Sequence, residues 1–203
     1  SLHAYGDYDE ASMFSYAAAM VVESWYRFFV DGNRLPAAEA QPKVIYQAHE
    51  WMTAMGMLFL KHDIPSIGTI FTTHATSIGR SIAGNHKPLY DCMPGFFGDQ
   101  MAQELNMESK HSVEKQAAHQ ADCFTTVSEI TDRECAQLLE KPADVVLPNG
   151  FEDDFVPKGA AFTARRRQAR KVMLEKAGLL LGKTFGDDTL IIGTGGRFEF
   201  RNK

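Results

Sequence analysis

Cysteine is scarce in this sequence, and its three copies form no CxxC pair. Cys92, Cys123 and Cys135 are an odd number at irregular spacing, which argues against both a disulfide framework and a zinc site. Hydrophobic runs are also short, because none approaches the roughly 20 apolar residues that a membrane span requires. The sequence therefore predicts a protein of a reducing, cytoplasmic compartment, with no membrane partner and no bound metal.

Positive charge is not in excess either. The sequence has 21 Lys and Arg residues against 26 Asp and Glu residues, and its net charge is −5. Nucleic acids and anionic membranes attract proteins through clustered positive charge, so the sequence predicts neither of them as a partner. With 203 residues, of which 44% are hydrophobic, the chain is long enough to bury a core in one or two domains.

Short and long apolar segments alternate along the chain, which is typical of an α/β protein. Runs rich in β-branched and aromatic residues predict strands at residues 43–49, 64–71, 122–127, 143–150 and 188–196. Longer segments with helical spacing predict helices between them and a mostly buried helix at 10–30. Strands that alternate with helices form βαβ units on a parallel sheet. We therefore expect a Rossmann-like α/β fold with helices on both faces of the sheet.

Two regions depart from this alternation. Residues 83–108 are rich in Gly and Pro and predict an irregular excursion with a short helix near its end. Residues 182–188, GKTFGDD, predict a boundary after which a new strand and a glycine-rich turn begin. We therefore expect residues 1–187 to belong to one Rossmann-like domain and residues 188–203 to begin a second. Because a parallel strand needs neighbours and a covering helix, we also expect the chain to be an internal part of a longer protein.

The segment TIFTTHATSIGR, residues 69–80, is the first candidate for chemistry. A predicted strand leads into Thr72 and Thr73, His74 follows at once, and Arg80 comes six residues later. In open α/β sheets ligands bind at the carboxyl ends of the strands, and all five predicted strand ends carry polar, glycine or ionisable residues. His74 is therefore a candidate ligand-binding residue. The alternative is a histidine that only satisfies its own hydrogen bonds at a strand terminus.

Five stretches of the sequence resemble, in their order and separation, glycogen synthases of the eukaryotic, UDP-glucose-using type, a family of GT-B glycosyltransferases. They are AHEWMTAMG, TIFTTHATSIGR, FTTVSEIT, VLPNGF and GGRFEFRNK. TTHATSIGR and GRFEFRNK are the most specific of them. The resemblance implies part of a two-domain GT-B fold. It also implies a retaining transfer of glucose from UDP-glucose to the α-1,4-glucan of glycogen, with no metal ion and no other cofactor.

The resemblance implies roles for individual residues as well. Arg197 and Lys203, in the second domain, would bind the donor diphosphate. Cationic side chains can oppose the negative charge that a leaving group gains. His74 would lie beside the donor glucose and bind one of its hydroxyl groups. Arg80 would lie near the donor, either against its phosphates or paired with an acidic neighbour.

Three further features have more than one interpretation. Glu50 either shares the donor cleft or is a carboxylate that favours the beginning of a helix. Asn149 turns the chain at another strand end, where it either contacts the donor or only forms the turn. The basic run ARRRQARK, residues 164–171, predicts a solvated helix face. The resemblance adds subunit association for this region, and we expect a homo-oligomer.

Parts of the family's active site do not occur in this sequence. They are the glycine-rich loop expected upstream and the glutamate-bearing catalytic motif expected downstream. The 203 residues are therefore expected to be inactive by themselves. Two other functions stay open. One is a GT-B glycosyltransferase with another donor or acceptor, and the other is a non-catalytic binding or assembly domain.

Overall fold

The chain divides into two compact units, Ser1–Asn149 and Gly150–Lys203. The computed structural model describes residues 2–35, 43–152 and 156–193, with side chains from residue 8 onward. None of the described helices is long and apolar enough to cross a membrane. The domain boundary predicted between residues 187 and 188 stays a prediction, because residues 194–203 lie outside the described part.

The first unit alternates strands with helices in chain order. Its elements are α1 (Leu2–Trp25), a π-helical turn (Tyr26–Asp31), β1 (Ile45–His49), α2 (Trp51–Asp63), β2 (Gly68–Thr73), α3 (Ser77–Gly84), a 3₁₀ turn (Met93–Gly95), α4 (Gly98–Glu104), α5 (Glu108–Gln120), β3 (Cys123–Thr126), α6 (Glu129–Leu138) and β4 (Val145–Val146). The second unit contains α7 (Ala160–Leu181). The prediction of an α/β fold with a parallel, Rossmann-like sheet flanked by helices is confirmed.

The four strands form one parallel sheet in the order β1-β2-β3-β4. Runs of β-branched and aromatic residues, such as TIFTT in β2, favour the extended backbone of a strand. The register pairs His49 of β1 with Thr72 of β2, and it pairs Thr73 of β2 with Thr126 of β3. The strands therefore end at one common edge of the sheet, where the sequence predicts the functional residues.

One face of the sheet carries the main hydrophobic core. Ala48, Phe71 and Phe124 extend from β1, β2 and β3 into a buried cluster with side chains of α2, α5 and α6. The rings of Phe71 and Phe124 stack with their centroids 5.7 Å apart. Burial of this apolar surface is the main stabilising contribution in the unit, and it fixes the three helices against the sheet.

The opposite face of the sheet is more polar and partly open to solvent. Ile45, at the beginning of β1, is 63% exposed. The Gln47 amide donates a hydrogen bond to Thr72 Oγ1 over 3.2 Å, and the Thr72 hydroxyl lies 2.8 Å from the Thr125 hydroxyl. A row of hydrogen-bonded side chains thus crosses three strands on this face.

The predicted excursion at residues 83–108 contains the 3₁₀ turn and α4, so a short helix is present there as expected. Leu89 and Met101 from this region are buried against Ile82 of α3 and Leu138 of α6. The excursion thus contributes a second hydrophobic cluster, which holds α3 and α6 close together.

The second unit corrects one prediction. Over residues 188–193, which are the described part of the strand predicted at 188–196, the backbone forms no strand. A strand requires backbone hydrogen bonds with a neighbouring strand. Here the Arg170 guanidinium donates hydrogen bonds to the carbonyl groups of Asp187 and Thr189 over 2.7 and 2.5 Å. These side-chain contacts bind carbonyl groups at the beginning of the segment, where a neighbouring strand would otherwise supply the donors.

Candidate functional site at the carboxyl edge of the sheet

His74 and Glu50 lie side by side at the ends of β2 and β1. The parallel register places these strand ends next to each other, because His49 pairs with Thr72. Glu50 Oε1 accepts a hydrogen bond from the backbone N–H of His74 over 3.0 Å. The Glu50 side chain is only 16% exposed, so this bond is largely shielded from water. Two residues that the sequence predicts for one cleft are thus in direct contact.

Glu50 has an unusual backbone conformation. Its φ of 62° and ψ of 165° fall in a region that residues with side chains seldom occupy, and such strain is concentrated at functional sites. Its N–H donates to the Thr72 carbonyl over 2.8 Å, which extends the pairing of β1 and β2. Glu50 precedes α2, yet its carboxylate caps no N–H group of that helix. The carboxylate is instead directed to the end of β2.

Arg80 reaches the same carboxylate from α3. Its Nη2 lies 3.7 Å from Glu50 Oε1, and its side chain is 62% exposed. An ion pair this exposed contributes on the order of 0–1 kcal/mol to stability. The guanidinium therefore stays accessible to an anion while it lies next to Glu50. The acidic neighbour that the sequence analysis considered for Arg80 is present, and its contact with phosphate stays a prediction.

His49 and His74 form a hydrogen-bonded pair. Nδ1 of His49 lies 3.2 Å from Nε2 of His74, and the ring centroids are 5.5 Å apart. His49 is exposed and His74 is half-buried, so the pair lies at the surface of the site. Sequence analysis singled out only His74, because the contact depends on the register between β1 and β2.

Glu114 of α5 holds the backbone around His74 from the protein interior. Thr73 Oγ1 donates to Glu114 Oε1 over 2.8 Å, and the Ser77 N–H donates to Glu114 Oε2 over 2.7 Å. Glu114 is fully buried, and burial raises the pKa of its carboxyl to about 7 although these hydrogen bonds oppose the rise. The negative charge of Glu50 raises the pKa further. The backbone on either side of His74 is therefore held by the Glu114 carboxyl, whose charge changes near neutral pH.

A second buried carboxyl, that of Glu134 in α6, holds the beginning of α3. It accepts hydrogen bonds from the Thr76 N–H over 2.9 Å, from the Thr76 hydroxyl, and from the Tyr90 hydroxyl over 3.2 Å. Thr76 Oγ1 also accepts from the Gly79 N–H over 3.0 Å, which caps the helix. The buried contacts of α6 therefore set the position from which α3 presents Arg80.

Besides His49, sequence reasoning missed two residues of the site, Glu114 and Glu134. Ala117 and Ala118 follow Glu114 at helical spacing, and all three are buried. Leu138 follows Glu134 in the same way on the buried side of α6. A glutamate within the apolar stripe of a helix is the signal that could have found them, because a buried carboxylate requires hydrogen-bond partners.

The remaining predicted residues are not part of this cluster as described. Asn149 is exposed in the segment that follows β4. Arg197 and Lys203 lie outside the described residues, and their roles stay predictions, as does that of Asn149. Within the described ranges, no group of three or more His, Cys, Asp or Glu side chains is arranged to hold a metal ion.

The arrangement suits a polar ligand that carries negative charge. An imidazole and a guanidinium are presented at the carboxyl edge of a parallel sheet, where such folds bind ligands. Imidazole nitrogens bind hydroxyl groups, and a guanidinium binds phosphate oxygens through paired N–H groups. Three carboxyl groups fix the backbone that carries them, so little reorganisation is needed when a ligand binds. These are Glu50, Glu114 and Glu134.

Comparison with known proteins gives a family. The sequence model of the glycogen synthase family matches residues 9–203. A glycogen [starch] synthase of Dictyostelium discoideum is 33% identical over 204 residues, which cover 96% of this chain and 22% of that protein. A glycogen [starch] synthase of Neurospora crassa is 33% identical over 171 residues, 81% of this chain and 24% of that protein. The human liver glycogen [starch] synthase is 32% identical over 166 residues, 79% of this chain and 23% of that protein.

The family model matches nearly the whole chain, residues 9–203. The match includes all four strands and the edge where His74, Glu50 and Arg80 meet. The chain spans less than a quarter of the length of the curated relatives it matches. A Rossmann-like sheet alone would not assign a family, because that fold occurs in many unrelated proteins. The extent of the match does assign one, and this chain belongs to the glycogen synthase family.

Proposed function

We propose that the protein containing this chain is a retaining glucosyltransferase that extends an α-1,4-glucan, glycogen, from UDP-glucose. Membership of the glycogen synthase family supports the proposal. The structural observation that carries it is the cluster of His74, Glu50 and Arg80 at the carboxyl edge of the sheet. An imidazole suited to a sugar hydroxyl lies there beside a guanidinium suited to a phosphate.

In this proposal different residues bind different parts of the donor. His74 hydrogen-bonds a hydroxyl group of the donor glucose, and Arg80 contributes positive charge near the diphosphate. Arg197 and Lys203 oppose the negative charge that the diphosphate gains as its bond to glucose breaks, with no metal ion required. Glu50 keeps the backbone of His74 in place through the hydrogen bond of 3.0 Å.

The proposed reaction balances without a cofactor. The bond between C1 of glucose and the diphosphate oxygen breaks, a bond from C1 to O4 of the acceptor forms on the same face, and UDP leaves. The leaving phosphate takes the proton of the acceptor hydroxyl. The residues of this chain orient the donor and oppose developing charge, which is the electrostatic part of catalysis.

The test is transfer of labelled glucose to glycogen by the full-length protein, with UDP-glucose and ADP-glucose as parallel donors. His74→Ala is expected to lower kcat/KM for UDP-glucose by about tenfold or more, because a hydrogen bond to the donor sugar is lost. His62→Ala is the matched control, since His62 is exposed near the other end of α2. We expect the control to keep its activity and the 203 residues alone to show none.

Each outcome of this test is informative. Undiminished transfer by the His74 variant would remove His74 from the donor site. No transfer from either donor would contradict the reaction and favour another glycosyltransferase or a binding role. Transfer by the 203 residues alone would contradict the expectation that the active site requires further parts of the protein, namely the glycine-rich loop and the glutamate-bearing motif.

We further propose that the protein is cytoplasmic and homo-oligomeric. Cys92, Cys123 and Cys135 are free thiols, which fits a reducing compartment. For the oligomer, support comes from α7, where Leu179 and Leu180 are 85% and 86% exposed. Exposed apolar side chains of this size are typical of surfaces that associate.

Charge reversal of Arg165 and Arg166 tests the part of α7 in association. Both side chains are exposed on this helix. The double variant Arg165→Glu, Arg166→Glu is expected to have a lower molar mass than the wild type in light scattering, because an interface at this helix would then carry reversed charge. An oligomer of unchanged mass would place the interface elsewhere.

A further inference from the structure

The function proposed above uses His74 and leaves its neighbour His49 without a role. The two rings meet at a hydrogen-bond distance of 3.2 Å between His49 Nδ1 and His74 Nε2. Among the residues that the structure describes, the His74 ring hydrogen-bonds to no other side chain. Within the described part, the side-chain hydrogen bond that restrains the rotation of this ring therefore comes from His49.

Both histidines are anchored independently of their rings. The His49 N–H donates to Thr53 Oγ1 over 2.7 Å, and the Thr53 hydroxyl lies 2.7 Å from the His49 carbonyl. The His74 N–H donates to Glu50 over 3.0 Å. The pairing of His49 with Thr72 in the sheet fixes the spacing between the two backbones. The rings thus meet because the surrounding structure places them together.

The hydrogen bond has a chemical consequence for His74. A neutral imidazole has one N–H group and one acceptor nitrogen, and the bond to a neighbour determines which nitrogen is which. Nε2 of His74 is occupied by His49. Nδ1 is then the nitrogen left for a ligand, and its character as donor or acceptor is the complement of that at Nε2.

We infer that His49 is a positioning residue for the transfer reaction: its Nδ1 restrains the rotation of the His74 ring, couples the tautomer of His74 to that of His49, and occupies Nε2 so that Nδ1 of His74 meets the donor sugar. This inference rests on the proposed function. His49 is not among the site residues predicted from the sequence, and the inference gives it an effect on the donor site. The effect passes through His74 and requires no contact between His49 and the substrate.

Two substitutions of His49 distinguish an effect of its hydrogen bond to His74 from an effect of its side-chain volume. In His49→Asn the side-chain amide lies close to the position of Nδ1 and can donate or accept, so the bond to His74 is kept. In His49→Leu the volume is similar and the bond is lost. For the full-length protein with UDP-glucose, we expect kcat/KM to fall about tenfold in the Leu variant and to stay within about twofold of the wild type in the Asn variant. The fall is expected mainly in kcat.

The outcomes distinguish this inference from the proposed function. A wild-type protein without transfer activity contradicts the proposed function. An active wild type with an unimpaired Leu variant, or with equal losses in both variants, overturns the positioning role.

Nitrogen-15 NMR of the histidine rings in the full chain provides a readout that does not depend on activity. The His74 ring signals are expected to change in His49→Leu and to stay near their wild-type values in His49→Asn, because only leucine removes the partner of Nε2. His74 signals that are the same in the wild type and the Leu variant would show that the bond does not exist in solution, and would overturn the inference.

Discussion

Replacing Gly79 with alanine is expected to lower the free energy of unfolding by about 3 kcal/mol. A Cβ on residue 79 would lie 2.2 Å from Glu134 Oε1 and 2.6 Å from Thr76 Oγ1, closer than real Cβ contacts. The Glu134 carboxylate and the Thr76 hydroxyl would have to move away from the new Cβ, and the hydrogen bond that caps α3 would be lost. Glu134 is 2% exposed, so its carboxylate would stay buried with fewer hydrogen bonds. Urea denaturation of the chain measures the change.

Gly84→Ala is the matched control for this substitution. Gly84 is the last residue of α3, and an added Cβ would meet no atom within 4 Å. Alanine at this position is expected to leave the stability unchanged or to raise it by about 0.5 kcal/mol, since alanine is the better helix former. If the Gly79 variant were as stable as the Gly84 variant, the close contact between α3 and Glu134 would not hold.

Replacing Glu114 with glutamine is expected to remove a pH dependence from the stability. The pKa of the buried carboxyl is raised from 4.5 to about 7, so the folded protein binds this proton more tightly than the unfolded chain does. The stabilisation from proton binding is complete below pH 4.5 and is lost as the pH rises to about 7. The size of this loss is on the order of 3 kcal/mol. Glutamine cannot titrate and keeps no such dependence.

The Glu114→Gln variant is expected to fold because its amide can replace the protonated carboxyl. The amide oxygen can accept from the Ser77 N–H, and the amide N–H can donate to Thr73 Oγ1, whose own proton can turn to the Ala75 carbonyl 3.4 Å away. As the pH rises from 4.5 to about 7, the wild type loses the stabilisation from proton binding and the variant does not. The free energy of unfolding of the variant should therefore rise relative to that of the wild type over this range.

Glu108→Gln provides the control for this experiment, because it removes an exposed carboxyl from the same helix. This variant is expected to keep the pH dependence of the wild type. A constant difference between Glu114→Gln and the wild type over the whole range would show that Glu114 does not take up a proton on folding, and would contradict the prediction.

The position of the candidate site could be predicted from the sequence because it follows from topology. Alternating strand and helix patterns imply a parallel sheet, and parallel strands end at one edge. His74 and Glu50 follow two such strands, so their proximity required no knowledge of side-chain packing. The strand predicted at residues 188–196 was wrong over residues 188–193, because an apolar run indicates a strand only where a neighbouring strand can pair with it.

The supporting residues could not be predicted in this way. Glu134 and Thr76 are 58 positions apart in the sequence, and their contact depends on how α6 packs against α3. Glu114 meets Ser77 across 37 positions for a similar reason. Local patterns describe which side of a helix is buried, but they do not give the partner that a buried carboxyl finds.

The two buried glutamates also determine how α3 can interact with a ligand. A helix begins with a positive end, and many nucleotide-binding sheets use such an end to hold phosphate. At the beginning of α3, the N–H groups of Thr76 and Ser77 already donate to Glu134 and Glu114. A phosphate approaching this end would meet carboxyl groups, and the helix macrodipole is already compensated from within. A diphosphate bound beside the beginning of α3 would therefore be neutralised by cationic side chains such as Arg80 and not by the end of this helix.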